Sequence, residues 1–316
     1  MKIRLNKNNL KTAVLYFFIF ILIVFLFVGG ESQQKHRLIK DIWDSGHLIL
    51  FGLLSFSYFS RPRAASRTLF YKIIFTTLVC LVAGTGIELI QLFTHREFSR
   101  SDIVNDLIGG YLGLLTLLLI NKQSSLKIKA VAFLFLIIFI ALGLRNMGKH
   151  LTDEFVMRQQ FPLLAGFETQ LEMSRWDSNL TNIKRSTRFV KSGNYSLKVD
   201  FLPGRYPNIS LKHFKNNWSG YHKLTYSVYN PSLQSLNFEM KVYDYQHTRT
   251  SRRYNDRFNQ SVTLAPGWNT IETPLQAIIS TPKNRSMNIH QIKGFSLFTD
   301  KLAQPVTVYI DDIHLS

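Results

Sequence analysis

Cysteine is almost missing: the 316 residues hold a single one, Cys80. A lone thiol excludes a disulfide scaffold and a cysteine-built zinc site within the chain. Acidic residues are also scarce, 20 against 38 Lys and Arg, for a formal net charge of +18. That shortage alone would suggest nucleic acid as the partner. The positions of the charges exclude it. Residues 1–149 hold 18 basic and 7 acidic residues, and residues 150–316 hold 20 and 13. In the first half the basic residues lie between uncharged apolar runs, a membrane pattern. The near-zero mean hydropathy averages two unlike halves.

Residues 12–30 carry no charge. A hydrocarbon core about 30 Å thick needs roughly 20 apolar helical residues, so this run is long enough to span. The basic residues Lys2, Arg4, Lys7 and Lys11 before it also fit a signal peptide. The run is long for one, however, and no small-x-small cleavage signal follows. Four further spans are expected at about 42–60, 72–93, 102–120 and 130–146. With the N-terminus inside, the inner segments hold 11 basic residues and the outer loops hold 5. The positive-inside rule therefore places the N-terminus in the cytoplasm and residues 150–316 outside it. Cys80 falls within an apolar run and is expected to face lipid or core.

This topology brings polar residues of three spans to one membrane depth: Asp44 and His47, Glu88 and Gln91, Asp102 and Asn105, with Arg96 in the short loop between spans three and four. Each pair has a spacing of three, which shares a helix face. Ionisable groups at membrane depth face a bundle interior or a cavity. The cluster is the candidate binding or reactive site. The competing reading is structural: the same groups hold helices together, Arg96 neutralises Glu88 or Asp102, and Asp102 caps its helix. Gly109 and Gly113 form a small-xxx-small pair that allows close packing.

The segment Asp44-Ser-Gly-His47, then Glu88-Leu-Ile-Gln91, Arg96, Ser99, Asp102, Asn105 and Gly109, resembles the VanZ-like membrane family over about residues 10–145. Leu48 stands where an aromatic often follows the histidine, and Asp102 and Asn105 are closely spaced. The resemblance implies a bacterial envelope protein and carries no settled enzymatic activity.

Residues 148–166 read as a linker with some helical character. From Phe167 the pattern changes to short alternating runs: 196–201, 223–229, 237–243, 294–298 and 306–310. Period-two alternation between turn signals marks half-buried strands and suggests a sandwich. Phe167-Glu168, Trp176, Trp218, Pro266-Gly267-Trp268-Asn269 and the ending Val308-Tyr-Ile-Asp311-Asp312-Ile313 resemble galactose-binding-like jelly rolls, the fold of many carbohydrate-binding modules. The expected architecture is thus an α-helical membrane bundle of five transmembrane helices plus an all-β jelly-roll sandwich. Trp176, Trp218, Tyr221 and Trp268 are expected to pack the core. Sugar recognition needs flat rings beside hydrogen-bonding groups. Tyr206, Tyr243, Tyr245, Arg253, Tyr254, Asp256 and Arg257 are the candidates. Tyr243 and Tyr245 are expected on one strand face, and 246–259 in a polar loop. Relatives of this fold often tie their first and last strands through calcium, for which Glu168 and Asp311 are the matching acids. Two carboxylates alone do not make a site for six to eight oxygen ligands. No other cofactor is expected.

Two functions compete. One is a non-enzymatic protein of the bacterial inner membrane, whose outer sandwich binds an envelope polysaccharide or glycolipid while the polar cluster holds or senses an amphiphilic ligand such as a membrane lipid. The other is an intramembrane hydrolase or transferase acting on a lipid-linked glycan. In it His47 is the general base oriented by Asp44, Glu88 or Asp102 is the acid, and Arg96 holds an anion.

Overall fold

The computed structural model describes residues 7–27, 37–93 and 98–316. Arg96 and the end of the first expected span lie outside these. The chain divides into two compact units, residues 1–151 and 152–316.

The first unit is helical. Its elements are α1 (Lys7–Phe27), α2 (Arg37–Phe59), the short α3 (Pro62–Ala65), α4 (Leu69–Leu92), α5 (Arg100–Ile120), α6 (Leu126–Gly143) and the first part of α7 (Arg145–Gln160). Among the described residues, α4, α5 and α6 are long and apolar enough to cross a membrane. At 1.5 Å per residue they run about 27 to 36 Å, the thickness of a hydrocarbon core. Helix α2 is interrupted by Asp41, Asp44, His47 and several serines, and falls short by composition. Helix α4 opens on Thr68, whose hydroxyl accepts the N–H of Tyr71 and so satisfies one free donor of the first turn.

The closest helix crossing is α2 on α5, and glycines make it. A Cβ at Gly109 would overlap the backbone of Leu48, and one at Gly113 the backbone of Gly52. The two backbones touch with no side chain between them, as a small-xxx-small face allows. A side chain at Gly110 would press on Cys80 and Thr76 of α4, so the next face of α5 is equally close to its other neighbour. Cys80 is buried in this packing.

The second unit is an antiparallel β-sandwich. One sheet has the order β3 (Thr181–Ser186), β4 (Ser196–Phe201), β11 (Val306–Leu315), β6 (Lys223–Asn230), β9 (Gly267–Pro274), with β1 (Leu163–Ala165) also pairing β11. The other runs β2 (Trp176–Asn179), β5 (Asn208–Leu211), β10 (Ile292–Phe298), β7 (Leu236–Asp244), β8 (Phe258–Leu264). Alternate residues of facing strands fill the core, among them Leu197, Val199 and Phe201 of β4 and Met240 and Val242 of β7. Two short helices, α8 (Tyr245–Arg249) and α9 (Leu275–Ser280), follow β7 and β9.

The segment 148–166 has the expected helical character but also contributes to the sandwich. Residues 148–166 form most of α7 and the strand β1, and Met157, Leu164 and Ala165 enter the sandwich core. Asp153 of α7 meets the guanidinium of Arg175 at 2.8 Å, both fully buried. A buried arginine needs such a partner, because stripping its water is otherwise uncompensated. Trp268 is a second correction. It sits opposite Tyr229 on the outward side of β9, half-buried against that ring instead of in the core. Trp176 and Trp218 are core residues as expected, and Tyr221 packs against the core's edge.

The glycine crossing generates a test. Gly113→Val forces two methyl groups between α2 and α5, an overpacking that costs about 1–3 kcal/mol or more. The detergent-solubilised chain should melt well below wild type. A valine at Gly148, where a side chain meets nothing within 4 Å, should be nearly neutral.

Candidate functional site

In the helical unit the polar residues separate into two groups. The first is centred on His47 of α2, which is fully buried. Its Nδ1 lies 2.9 Å from Oδ1 of Asp106 on α5, and its Nε2 lies 3.9 Å from Oδ2 of Asp102, one turn earlier on α5. Glu88 of α4 completes the group. His47, Glu88 and Asp102 each bring a ligand-type atom within 4.8 Å of the others, the set with metal-holding geometry among the described residues. Glu88 also accepts the backbone N–H of Ser99 at 2.6 Å. Gly84, one turn before Glu88, leaves the room that the Asp106 carboxylate takes, since a Cβ there would overlap it.

The second group lines a small polar cavity. Asp41, Asp44, Ser45, Ser101, Asn105 and Asn146 border it. Asp41 is also met by His150 Nδ1 at 2.7 Å. Gln91 joins neither group. It is buried, and its Nε2 donates to the carbonyl of Leu26 on α1 at 3.0 Å.

The structure thus brings His47, Glu88 and Asp102 together, sets Asp44 and Asn105 at a neighbouring cavity, and gives Gln91 a helix-tying bond. The carboxylate that orients His47 is Asp106, not Asp44. The i,i+4 spacing puts Asp102 and Asp106 on one face of α5, but does not say which acid meets His47. A histidine held at Nδ1 by a carboxylate, with Nε2 turned to a second carboxylate, can shuttle a proton or contribute to cation binding.

In the sandwich, the outward face of the β2-β5-β10-β7-β8 sheet carries the sugar candidates that lie on strands. Tyr243 of β7 lies across β10, where any Cβ at Gly294 would stand 2.5 Å from its hydroxyl. Lys212 Nζ donates to that hydroxyl at 2.9 Å. Lys241 lies opposite Ser296 on β10 and Asn259 on β8, and Ser296 shares a hydrogen bond of 2.7 Å with Ser210 on β5. Beyond Lys241, Phe298 meets Tyr206 edge to face at 6.5 Å. At the other end, the Arg257 guanidinium lies 5.5 Å from the Tyr254 ring centroid. Tyr206 and Tyr254 are 44% and 61% exposed, whereas Tyr243 is only 8% exposed.

Tyr245 does not share a strand face with Tyr243. Strand β7 stops at Asp244, whose carboxylate accepts the N–H of His247 and caps α8, so Tyr245 opens that helix. The expected polar loop is therefore largely structured, by α8, a 3-10 turn at Tyr254–Asp256 and the start of β8. Arg253 caps that turn and is exposed. Asp256 is already engaged. Arg285 donates to it at 2.6 Å and to Asp244 at 2.8 Å, and His247 Nδ1 lies 3.1 Å from it. Burial alone would raise the Asp244 carboxyl, but hydrogen bonds from Arg285 and from the backbone of Asn288 and His247 outweigh it and hold the pKa below the usual range. The Arg285 hydrogen bond chiefly lowers Asp256 as well. Burial sets the direction for His247, which falls below its ordinary value despite Asp256.

Glu168 and Asp311 do not fit a calcium ion. Glu168 accepts the N–H groups of Asn194 and Tyr195 at 2.9 and 3.0 Å. Asp311 accepts those of Lys191, Ser192 and Asp312 at 2.7 to 3.0 Å. The Arg185 guanidinium donates to the carbonyls of Phe167 and Glu168, 2.6 Å each. N–H donors fill the directions that an oxygen-ligated cation would need.

No family model matches the chain, and no curated protein matches it. The VanZ-like resemblance therefore rests on its motif residues. Among solved structures, the chain is similar to an exo-β-agarase at 16% identity and a TM-score of 0.39, covering 49% of this chain and 24% of that one. It is similar also to the family 11 carbohydrate-binding module of Clostridium thermocellum in complex with a mixed-linked tetrasaccharide, at 15% identity and a TM-score of 0.37. That match covers 48% of this chain and 93% of the module. The chain spans about a quarter of the agarase's length.

The Arg285 network yields a prediction with a pH signature. Arg285→Gln strands two carboxylates and should destabilise the sandwich by about 3 kcal/mol at pH 7. Both carboxyls are depressed in the folded state, so their stabilisation is present above the unfolded value near 3.9 and lost as pH falls through the folded values. Denaturant titrations should therefore show the gap between variant and wild type closing below about pH 4.

Proposed function

We propose that this is a multi-pass protein of the bacterial cytoplasmic membrane whose C-terminal sandwich, a jelly roll on the outer side, binds an envelope glycan or glycolipid. On this reading α1, α2, α4, α5 and α6 are five spans, with the N-terminus inside. The apolar length of α4, α5 and α6 and the 11-to-5 bias of basic residues support it. The observation that carries the glycan reading is the outward face of the five-stranded sheet. There the exposed rings of Tyr206 and Tyr254 flank a strip of hydrogen-bonding side chains laid out by strand register. Exposed rings offer apolar faces to sugar C–H groups, and the half-buried polar ends of Lys212, Lys241, Arg257 and Asn259 between them reach the sugar's own hydroxyls. In the membrane unit, the polar cavity and the His47 group hold the head of an amphiphilic molecule.

Glycan-array screening of the full chain in nanodiscs should find polysaccharide ligands. Tyr206→Ala and Tyr254→Ala should each weaken binding by about tenfold, the equivalent of 1.4 kcal/mol, without lowering the melting temperature. A folded chain that binds no glycan overturns the reading.

The His47–Asp106 bond favours a second reading, an intramembrane hydrolase or transferase of lipid-linked glycans with His47 as base. His47→Gln and Asp106→Asn should then each abolish turnover of a lipid-linked oligosaccharide by the reconstituted chain while leaving its membrane level and melting temperature intact. Variants that are simply lost from the membrane would make the group structural.

A further inference from the structure

Tyr243 was expected to be a stacking ring, yet it is buried and two lysines crowd it. Lys212 Nζ lies 5.6 Å from its ring centroid and Lys241 Nζ 5.5 Å. Arg257 is the third cation in this neighbourhood. Two strand lysines elsewhere in the sandwich meet acids: Lys198 meets Asp200 and Lys223 meets Glu272, each at 2.8 Å. Among the described residues, Lys212, Lys241 and Arg257 have no acid within 4.0 Å. The adjacent Asp244 and Asp256 are held by Arg285, and Glu239, two residues before Lys241 on the same face, is bonded to Ser261. Burial, then Arg257 and Lys212, pull the Lys241 amine down to about 8. Like charges half-buried around one ring oppose folding and gain nothing from one another in the free protein. Such a concentration of unpaired charge is what a bound counter-charge would relieve.

We propose that Lys212, Lys241 and Arg257 form a subsite for an oxyanion carried on a sugar ring, so that the ligand of this face is an anionic polysaccharide. The inference rests on the glycan reading and names its substrate class. The buried Tyr243 anchors the subsite: its hydroxyl accepts from Lys212 at 2.9 Å, and the space over Gly294 admits its ring. Tyr206 and Tyr254 remain available on either side for the rings of neighbouring sugars. A carboxylate and a sulfate ester present the same chemistry to this subsite.

Titration calorimetry of the full chain in zwitterionic nanodiscs tests the proposal with two matched pairs: tetragalacturonate against cellotetraose, and dextran sulfate against dextran. At least one charged member should bind about tenfold or more tightly than its neutral counterpart, and its affinity should fall as salt rises. The preferred pair tells carboxylate from sulfate. Lys241→Gln and Arg257→Gln should each cost about tenfold toward the charged ligand. Lys223→Gln, on the other sheet, should cost nothing. Without ligand, Lys241→Gln should raise the melting temperature at pH 7, an outcome a purely structural lysine would reverse. If Lys241→Gln fails to fold, Arg257→Gln decides alone. Charged and neutral glycans bound alike would overturn the charge inference and leave the glycan reading standing. Neither bound by the folded chain would overturn both. An equal loss in Lys223→Gln would reduce the effect to general basic attraction and overturn the subsite.

Discussion

The hydrogen bond between His47 and Asp106 sets the terms on which α2, α4 and α5 can pack. Neither group reaches water, so each must be satisfied within the protein. Their 2.9 Å separation requires α2 and α5 to approach closely at that depth. The glycines at 52, 109 and 113 make the approach sterically allowed, and Gly84 on α4 makes room for the same carboxylate. Polar pairing and small residues thus act as one constraint. The sandwich obeys a similar rule. Arg175 is buried between Asp153 and the Glu172 turn, and Glu172 in turn accepts the N–H groups of Gly166, Phe167 and Thr169. A single guanidinium organises the entry of the chain into its first strands.

Much of this fold was readable where periodicity was strong. Five apolar runs became helices within a few residues of their expected limits, because runs of that length admit no other regular structure. Strands β4, β6, β7, β10 and β11 also announced themselves, since central strands bury one face and alternate. The strands at the margins did not. Strand β2 reads Trp-Asp-Ser-Asn and β1 has three residues, so neither carries enough alternation to register. Tyr245 was misplaced because the alternation of β7 runs on past Asp244, while the capping bond from His247 ends the strand there. In the membrane unit the cluster of His47, Glu88 and Asp102 was visible as polar residues in apolar runs. The orienting role of Asp106 was not, because only the rotation of α5 against α2 decides whether Asp44 or Asp106 faces the ring.

The net charge acquires a different meaning at each scale. In the helical unit the basic residues lie mostly between the apolar helices or at their ends. In the sandwich Lys198 and Lys223 are neutralised by neighbouring acids, whereas Lys212, Lys241 and Arg257 gather near Tyr243 without one. The chemistry of the face follows from that residue. A tyrosine left open would have made an apolar platform for neutral sugar. Buried, with one ammonium group on its hydroxyl and another near its ring, it belongs to a charged surface instead, and the open rings lie to either side.

Strands β10 and β11 are the last of the domain in sequence, yet each lies in the interior of its sheet, β10 between β5 and β7 and β11 between β4 and β6. During synthesis, β2 to β9 therefore emerge before the strands that join them. Neither half of a sheet has its inner partner until some 140 residues of this unit have been made, the length from Thr152 to Ile292. The pairings that close the sandwich are long-range in sequence, which is the slow class of folding topology. Until β10 and β11 are made, β5 and β7 in one sheet and β4 and β6 in the other present unpaired edges. Closure of the sandwich is thereby tied to synthesis of these two strands, and any factor that guards such edges would act in that interval.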